Sequence, residues 1–245
     1  MKLSLLRRVL RRLRDQPVID KRMECDPSDR SVPCNIVNSQ VSNPELVHPK
    51  AVIRGSTLCG PIQVGEGGLV ESAHLEGRIS IGRYSTFNGP NSDIYAKHYP
   101  VTIGSFCSIG RSVSIQEYDH RIERCTSYFI LNHIFGEDWV QETASRGSIK
   151  IGCDVWIGAQ SVVVSGALIG HGAVIGANSV VTGEIPPYAV ALGSPARIHR
   201  FRFPETIIQR LLALEWWHWD LATILKNRAL FDGALTEQKL AQIGM

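Results

Sequence analysis

Three histidines stand where the chain interrupts its own repeating pattern, and their placement is the first indication of chemistry. His98, His120 and His133 lie in two segments, residues 88–100 and 116–148, that break a six-residue repeat. Imidazole has an unperturbed pKa of about 6.5, so near neutral pH it can take the proton of a hydroxyl group and activate the oxygen as a nucleophile. On residue type alone, a histidine in such a segment is as readily a plain solvent-exposed side chain, so both interpretations stay open.

The six cysteines give no sign of a metal site or of a disulfide framework. None forms a C-x-x-C pair, and Cys107 and Cys153 fall inside repeats, which indicates reduced thiols. The chain has no run of eighteen apolar residues, and its N-terminus lacks the uninterrupted apolar stretch of a secretory signal. We therefore expect a cytoplasmic protein that neither spans a membrane nor is exported, and we expect no metal.

A repeat of six residues must position these side chains. An aliphatic residue returns at every sixth position, at Ile151, Ile157, Val163, Ile169, Ile175 and Val181. This period is typical of a hexapeptide β-helix, in which stacked coils bury a continuous core. Glycine follows four of the six positions, and we expect it to let the backbone turn a tight corner with a φ that is often positive.

The same frame recurs earlier and more loosely, which predicts an all-β solenoid over residues 47–203. Residues 88–100 and 116–148 are expected to be loops that leave the stack, and long loops in a compact fold are usually functional or disordered. From Pro204 to about Phe231, one amphipathic helix is predicted, with its apolar stripe at Ile207, Leu211, Leu214, Trp217, Leu221 and Leu225. The segment 204–245 is therefore predicted to be a helical cap that covers the exposed end of the solenoid.

The N-terminal residues 1–46 are predicted to form a basic amphipathic helix and a linker. Six lysine and arginine residues in the first fourteen alternate with leucine and valine, whereas the remainder of the chain has a charge of about −3 at pH 7. Such a helix is expected either to lie on anionic lipid at the inner face of the membrane or to pack on its own oligomer. Nucleic-acid binding has no support, because the basic residues are confined to this helix and lack interleaved aromatic residues.

Several stretches together resemble a known family. They are IGSFCSIG at 103–110, DHRIERCTSYF at 119–129, IGCDVWIGAQSVV at 151–163, VVTGEIPPYAVALGSPARIHRF at 180–201 and LLALEWWHW at 211–219. Their order is similar to that of the hexapeptide acyltransferases, and within them of the xenobiotic, or type B chloramphenicol, acetyltransferase branch. The resemblance implies a left-handed parallel β-helix with triangular coils, a homotrimer with active sites between subunits, and acetyl transfer from acetyl-CoA to a hydroxyl group.

The resemblance also implies roles for particular residues, and His120 would be the general base. Asp119, His98 and His133 are candidates for the acceptor site from their positions alone: Asp119, where the family usually has asparagine, adjoins the base and could orient its imidazole or cap a turn, and the two histidines lie in the expected loops. The residues that would contact acetyl-CoA are Trp156, Ala159, Gly176, Ala177, Thr182, Arg197 and Arg200. Small residues let the coenzyme approach the backbone, and arginines supply forked donors for its phosphates.

The acceptor that we expect from the sequence is a hydroxyl group of a sugar or glycan precursor in surface-polysaccharide biosynthesis, because an anchor-like N-terminus suits a lipid-linked substrate. The alternative within the same chemistry is an antibiotic or other xenobiotic alcohol. Two remoter alternatives are a zinc lyase of the γ-carbonic anhydrase type and a noncatalytic scaffold. The lyase family carries H-x4-H within its coils, and no two histidines here have that spacing.

Overall fold

The computed structural model describes residues 35–243, and its central feature is a parallel β-solenoid with three faces. Strands pair with the equivalent strands of neighbouring coils, for example β13 with β8 on one side and β16 on the other. The predicted all-β solenoid with triangular coils is confirmed. The basic helix predicted within residues 1–14 lies outside the described residues.

The strands are β1 Ile36–Val37, β2 Gln40–Val41, β3 Val52–Arg54, β4 Thr57–Cys59, β5 Ile62–Val64, β6 Leu69–Ile81, β7 Thr86–Ile103, β8 Ser108–Ile109, β9 Ser114–Gln116, β10 Asp119–His120, β11 Thr143–Ala144, β12 Ile149–Ile151, β13 Trp156–Ile157, β14 Val162–Val164, β15 Leu168–Ile169, β16 Val174–Ile175, β17 Val180–Val181, β18 Glu184–Ile185, β19 Ala189–Leu192 and β20 Arg197–Phe201. The helices are α1 Ile130–His133, α2 Glu205–Leu214, α3 Leu221–Lys226, α4 Arg228–Phe231 and α5 Glu237–Ala241. Short 3-10 turns occupy Pro44–Leu46, Trp139–Glu142 and Trp216–His218.

Inward-facing side chains stack in one ladder per face. The first face carries Ile36, Ile53, Val70, Phe87, Ile109, Ile157, Ile175 and Ala191. The second carries Val41, Leu58, Leu75, Ile94, Ile115, Val163 and Val181. The third carries Val47, Val64, Ile81, Ile103, Ile151, Ile169 and Ile185. The six predicted repeat positions are each at most 3% exposed, so each side chain contributes about 1.5–3 kcal/mol of burial energy.

Three corners separate the faces, and each has a different character. The small-residue corner joins the first face to the second at residues 110–112, 158–160 and 176–178. The loop corner joins the second face to the third at residues 164–167 and 182–183, and the chain leaves the coil here between residues 117 and 148. The cap corner joins the third face to the first at residues 82–85, 104–107, 152–155, 170–173 and 186–188.

The glycines that follow the aliphatic positions do not have the positive φ that was predicted for them. Gly152 and Gly158 do not have a positive φ, and the left-handed residues come two positions later, at Asp154 and Gln160. A Cβ atom at Gly158 would lie 2.6 Å from the backbone nitrogen of Ala177 on the next coil. Glycine is required here because successive coils approach each other closely at the corners, and not because the chain turns at that residue.

Residues 88–100 do not form a loop, so that prediction is wrong. All of them lie in β7, which pairs in parallel with β6 from Thr86 to Ile103. The pairing shifts register between Glu71 and Ala73 and again between Gly77 and Ile79. The extra residues are therefore absorbed as bulges, which break the six-residue period without expelling the chain.

The solenoid begins earlier than the predicted residue 47. Ile36 in β1 pairs with Ile53 in β3, and Val41 in β2 pairs with Leu58 in β4. Residues 36–46 form this first coil, which is irregular and therefore has few periodic apolar residues. For this reason the six-residue period did not reveal the coil.

The C-terminal helices pack along the cap corner, and not over the end of the solenoid as predicted. Trp217 is 1% exposed, and its ring stacks on His171 with centroids 4.7 Å apart. Arg83 donates hydrogen bonds to the carbonyl oxygens of Trp217 and Trp219. The edge of the last coil on the first face is instead covered by β20, which pairs antiparallel with β19.

The predicted single helix to about Phe231 is also wrong. Helix α2 ends at Leu214, because Glu215 adopts a left-handed conformation with φ 43°. This turn directs Trp217 onto the solenoid, while Leu221 and Leu225, expected on the buried stripe, are exposed. Among residues 35–243, no helix is long and apolar enough to cross a membrane.

Candidate active site

The segment between residues 117 and 148, here named the extruded segment, is closed at its foot by a small antiparallel pair. Asp119 in β10 pairs with Ala144 in β11, and His120 pairs with Thr143. His120 is therefore held on a strand close to the solenoid, and its side chain is exposed.

One hydrogen bond sets the protonation geometry of the His120 ring. Its Nδ1 atom lies 2.7 Å from the carbonyl oxygen of Ser127. A carbonyl oxygen only accepts, so Nδ1 carries the hydrogen and Nε2 keeps its lone pair. The ring also packs on Phe129, with centroids 4.4 Å apart. In the neutral form of the ring, Nε2 is therefore the nitrogen with the free lone pair, and it has no hydrogen-bond partner within the extruded segment.

Asp119 does not orient this imidazole. Its Oδ2 atom accepts a hydrogen bond of 3.2 Å from the hydroxyl group of Ser165 on the next coil. The carboxylate thereby ties β10 to the loop corner, and the ring of His120 is oriented by Ser127 instead.

His98 supports the foot of the extruded segment from the adjacent strand β7. Its Nε2 atom lies 2.7 Å from the hydroxyl oxygen of Thr143, and that hydroxyl group donates to the carbonyl oxygen of Val140. The His98 ring is therefore the donor to Thr143. Because Thr143 is the strand partner of His120, His98 acts on the base through the backbone.

Glu117 supports the same foot of the extruded segment and was not singled out from the sequence. It is completely buried, and its Oε2 atom accepts hydrogen bonds of 2.8 Å from the backbone nitrogens of Lys97 and His98. The strand alternation could have indicated it, because Ile115 points inward and Gln116 outward, which places Glu117 in the interior.

His133 contacts Phe129, as His120 does. Its Nδ1 atom lies 2.7 Å from the hydroxyl oxygen of Tyr128, and its ring centroid is 6.3 Å from that of Phe129. The structure therefore brings His120 and His133 to one aromatic cluster, whereas His98 belongs to the support beneath it.

A buried carboxylate anchors the interior of the extruded segment. Glu142 accepts hydrogen bonds of 3.0 Å from the backbone nitrogens of Leu131 and Asn132. Burial raises the pKa of Glu142, but these two N–H groups and the nearby guanidinium of Arg124 outweigh burial and lower the pKa below its ordinary value. Glu142 is thus charged at neutral pH and holds α1 against the foot.

Four of the predicted coenzyme-binding residues come together on one side of the solenoid. Trp156 is exposed on the first face, and Ala159, Gly176 and Ala177 lie at the small-residue corner that follows it. Ala159 and Ala177 are on successive coils, since the carbonyl oxygen of Ala159 accepts from Asn178. The corner therefore presents backbone with no side chain larger than a methyl group at these positions.

The predicted arginines continue this surface. Trp156 pairs with Val174, Val174 with Val190, and Val190 with Arg200, so Arg200 lies in line with Trp156 three rungs away, roughly 14 Å. Arg197 pairs with Leu192 at the same end, and both arginines are exposed.

Thr182 is not part of this surface. It lies at the loop corner, where its carbonyl oxygen is 3.5 Å from the guanidinium of Arg146. The residues predicted to bind the coenzyme and His120 consequently occupy two different corners of the protomer, with the second face between them.

The buried thiols are poor nucleophiles. Burial raises the pKa of Cys107 to about 12, and it also raises the pKa of Cys153. Within residues 35–243, His, Cys, Asp and Glu side chains do not form a cluster of three or more that could hold a metal ion.

Comparison with known proteins identifies relatives by sequence. The family model described as bacterial transferase hexapeptide (six repeats) matches residues 148–183. The chain is 35% identical to the chloramphenicol acetyltransferase of Klebsiella aerogenes over 167 residues, which cover 60% of this chain and 78% of that protein. It is 37% identical to the probable macrolide acetyltransferase of Lysinibacillus sphaericus over 133 residues, which cover 51% of this chain and 73% of that protein.

Among solved structures, AntD from Bacillus cereus is an N-acyltransferase in complex with dTDP and coenzyme A. It aligns with a TM-score of 0.50 at 20% identity, covering 73% of this chain and 90% of its own, a likeness that supports the fold alone. The solenoid is thus the left-handed parallel β-helix typical of hexapeptide transferases. The chain belongs to the hexapeptide-repeat transferase family, in the acetyltransferase branch that includes the chloramphenicol and macrolide acetyltransferases.

Proposed function

We propose that this acetyltransferase transfers the acetyl group of acetyl-CoA to a hydroxyl group of an antibiotic or other xenobiotic alcohol, with His120 as the general base. The observation that carries the proposal is the hydrogen bond from His120 Nδ1 to the carbonyl oxygen of Ser127, which leaves Nε2 of an exposed ring as the nitrogen that can accept a proton.

The mechanism that we propose is direct transfer, which needs one base and no enzyme nucleophile. When bound, acetyl-CoA supplies a thioester carbon that accepts an oxygen nucleophile and a sulfur that leaves with the bonding electrons. His120 Nε2 takes the proton of the acceptor hydroxyl group as its oxygen bonds to that carbon. His120 then returns the proton to the departing sulfur, so the enzyme ends neutral and unmodified. Burial raises the pKa values of Cys107 and Cys153, so these two thiols are poor candidates for an acyl-enzyme nucleophile.

The residues of the small-residue corner fit an extended coenzyme arm. Gly176 and Ala177 expose backbone that a ligand can approach, and Trp156 offers an apolar surface beside them. Arg197 and Arg200, at the end of the same surface, supply donors for phosphate groups. Thr182 has no place in this arm within one protomer.

We also propose that the enzyme is a homotrimer with its active sites between subunits. Within one protomer, His120 and Trp156 lie at different corners, so a single chain does not bring the base to the coenzyme surface. A neighbouring subunit that sets its small-residue corner against the loop corner would unite them.

The names of the relatives favour an antibiotic or other xenobiotic alcohol as the acceptor over the glycan precursor. Several of the similar proteins are named after antibiotics, as chloramphenicol, macrolide and virginiamycin A acetyltransferases. The antibiotic-like alcohol therefore takes precedence over the glycan precursor that we expected from the N-terminus. A sugar hydroxyl group remains the second candidate, because a cavity lined by aromatic side chains opens beside the foot of the extruded segment.

The test is thiol release from acetyl-CoA against a panel of chloramphenicol-like alcohols, macrolides, sugars and nucleotide sugars. We expect alcohol-dependent release that falls by at least about 10²-fold in His120→Ala. His48→Ala, which removes an exposed histidine from an early coil, serves as the control and should match the wild type. Full activity in His120→Ala would refute the general-base role, and product analysis would identify the acetylated hydroxyl group.

A further inference from the structure

A cavity of about 310 Å³, here named the Trp139 cavity, opens beside the foot of the extruded segment. Three aromatic side chains line it, namely Tyr95, Tyr118 and Trp139, together with one cation, Lys97, and one anion, Glu76. Such a volume is at the lower end of the range for small-molecule sites, which suits a single ring.

The aromatic walls are partly open to solvent. Tyr118 and Trp139 lie with ring centroids 5.5 Å apart and are only half-buried. The Lys97 ammonium lies 4.9 Å from the centroid of the Trp139 ring. Indole and phenol rings that are open on one side pack favourably against the C–H face of a sugar ring, while nearby charged and hydroxyl groups bind its hydroxyl groups.

The floor of the cavity is bare for a structural reason. A Cβ atom at Gly77 would lie 1.7 Å from the carbonyl oxygen of Ala96, and one at Gly60 would lie 2.9 Å from that of Gly77. Coil stacking therefore requires glycine at both positions. As a consequence, no side chain fills the space beneath the aromatic walls.

The cavity is connected to His120 by a chain of ring contacts. Phe129 lies 4.4 Å from His120 in a tilted contact and 6.1 Å from Trp139 in an edge-to-face contact, measured between ring centroids. Tyr118, which also contacts Trp139, precedes His120 by two residues. A molecule with two linked rings could thus place one ring in the cavity and present a hydroxyl group of the other towards His120.

We infer that the Trp139 cavity binds a sugar ring of the acceptor, so that the substrate is a glycoside and not a small alcohol without a sugar. The inference rests on the proposed function for its role in catalysis. The chemistry of the walls excludes a strongly charged occupant, because Lys97 and Glu76 balance each other and the remaining lining is aromatic or small. A macrolide that bears sugars and a glycan both satisfy this class.

Binding is tested first, because it does not depend on acetyl transfer. Saturation-transfer NMR with a panel of methyl glycosides and disaccharides should show contacts to the wild-type protein. Trp139→Ala should weaken that binding by about tenfold, and Trp139→Phe should retain most of it because a ring remains. Tyr99→Ala removes an exposed tyrosine from the same strand as Lys97 outside the cavity, and it should bind as the wild type does.

Kinetics then separate the two proposals. With a glycoside acceptor, Trp139→Ala should raise KM about tenfold and leave kcat within about threefold of the wild-type value, whereas Tyr99→Ala should leave both constants near wild type. His120→Ala should lose acetyl transfer to the glycoside yet still bind methyl glycosides. Thermal unfolding of each variant establishes that it is folded. If Trp139→Ala is unstable, Lys97→Met replaces it, since Lys97 is an exposed residue of the cavity lining, and it should likewise weaken glycoside binding.

Absence of glycoside binding to the wild type, or equal binding by Trp139→Ala, would overturn the sugar subsite whatever the result for acetyl transfer. Conversely, glycoside binding that depends on Trp139, without acetyl transfer to any acceptor, would uphold the subsite and reject the proposed function.

Discussion

Two histidines at two corners of the same solenoid show how one residue type acquires opposite roles. At the cap corner, the Nδ1 atom of His171 accepts a hydrogen bond of 2.9 Å from the backbone nitrogen of Cys153, and the ring is covered by Trp217. At the loop corner, the Nδ1 atom of His120 faces a carbonyl oxygen and the ring is exposed. The partner of Nδ1 therefore decides which nitrogen keeps a free lone pair, and burial decides whether a substrate can reach it.

The two corners also differ in what the aromatic residues do. At the cap corner, Trp217 and Tyr188 are almost fully buried and join the C-terminal helices to the coils. At the loop corner, Phe129 and Trp139 are half-buried and stand between His120 and a cavity. Aromatic packing thus stabilises the fold at one corner and leaves an open surface at the other.

The largest expected effect separates the two histidines directly. His120→Ala should lower kcat by about 10²–10⁴-fold while the thermal midpoint stays near the wild-type value, because the ring is exposed. His171→Ala should keep kcat within about threefold at a temperature where it is folded, but lose about 2 kcal/mol of unfolding free energy. Steady-state kinetics measure kcat, and denaturant titration measures the unfolding free energy. A similar loss of activity in the two variants would show that the two histidines do not have different roles.

Removal of the indole at the cap corner tests whether aromatic burial stabilises the fold there. Trp217→Ala should cost about 3–5 kcal/mol of unfolding free energy, since a large buried side chain is lost. Phe231→Ala, at a partly exposed ring of the same cap, should cost less than half as much. Equal losses in denaturant unfolding would show that burial does not govern the cap.

A substitution inside the extruded segment probes the loop corner. Glu142→Gln removes the charge that holds α1, and a small displacement of the segment that carries His120 should lower kcat/KM about tenfold. Glu123→Gln, an exposed carboxylate of the same segment, is the matched control and should be near wild type. Crystallographic or NMR evidence that α1 stays in place with full activity would contradict the anchoring role.

The smallest effect is a dependence of cap stability on pH. Burial lowers the pKa of His171, while Glu215 acts to raise it and His218 to lower it. The unfolded chain therefore takes up a proton at this residue first as the pH falls, so the stability contributed by neutral His171 is complete above its ordinary pKa of about 6.5 and declines below it. Thermal midpoints measured from pH 8 to pH 5 should fall more steeply for the wild type than for His171→Gln.

Much of the fold could be predicted from spacing, and the failures have physical causes. The inward ladders at Ile151, Ile157 and Val163 followed from the period because each coil needs the same inward residue. The bulges in β7 were not predicted, because an extra residue changes the six-residue period whether or not the chain leaves the stack. The end of helix α2 before Glu215 was not predicted, because the helical spacing of apolar residues continues beyond Glu215. The turn there allows Trp217 to contact His171, a contact that the spacing does not indicate.

The candidate site was predictable only where residues form a recognisable order. His120 and the small residues Ala159 and Ala177 were indicated by resemblance, and their roles remain predictions. Strand alternation indicates that Glu117 is buried, but neither its hydrogen bond to His98 nor that of Thr143 could be predicted, because both join segments that are distant in the sequence.

The sequence by itself determined the coil repeat, the family and the position of the extruded segment, because these follow from local periodicity and from motifs in a fixed order. Only the tertiary structure decided which corner each residue occupies, which tautomer His120 adopts and where an open aromatic cavity remains. Those features depend on contacts between coils and on the partners of single atoms, and such contacts have no signature in the spacing of residues along the chain.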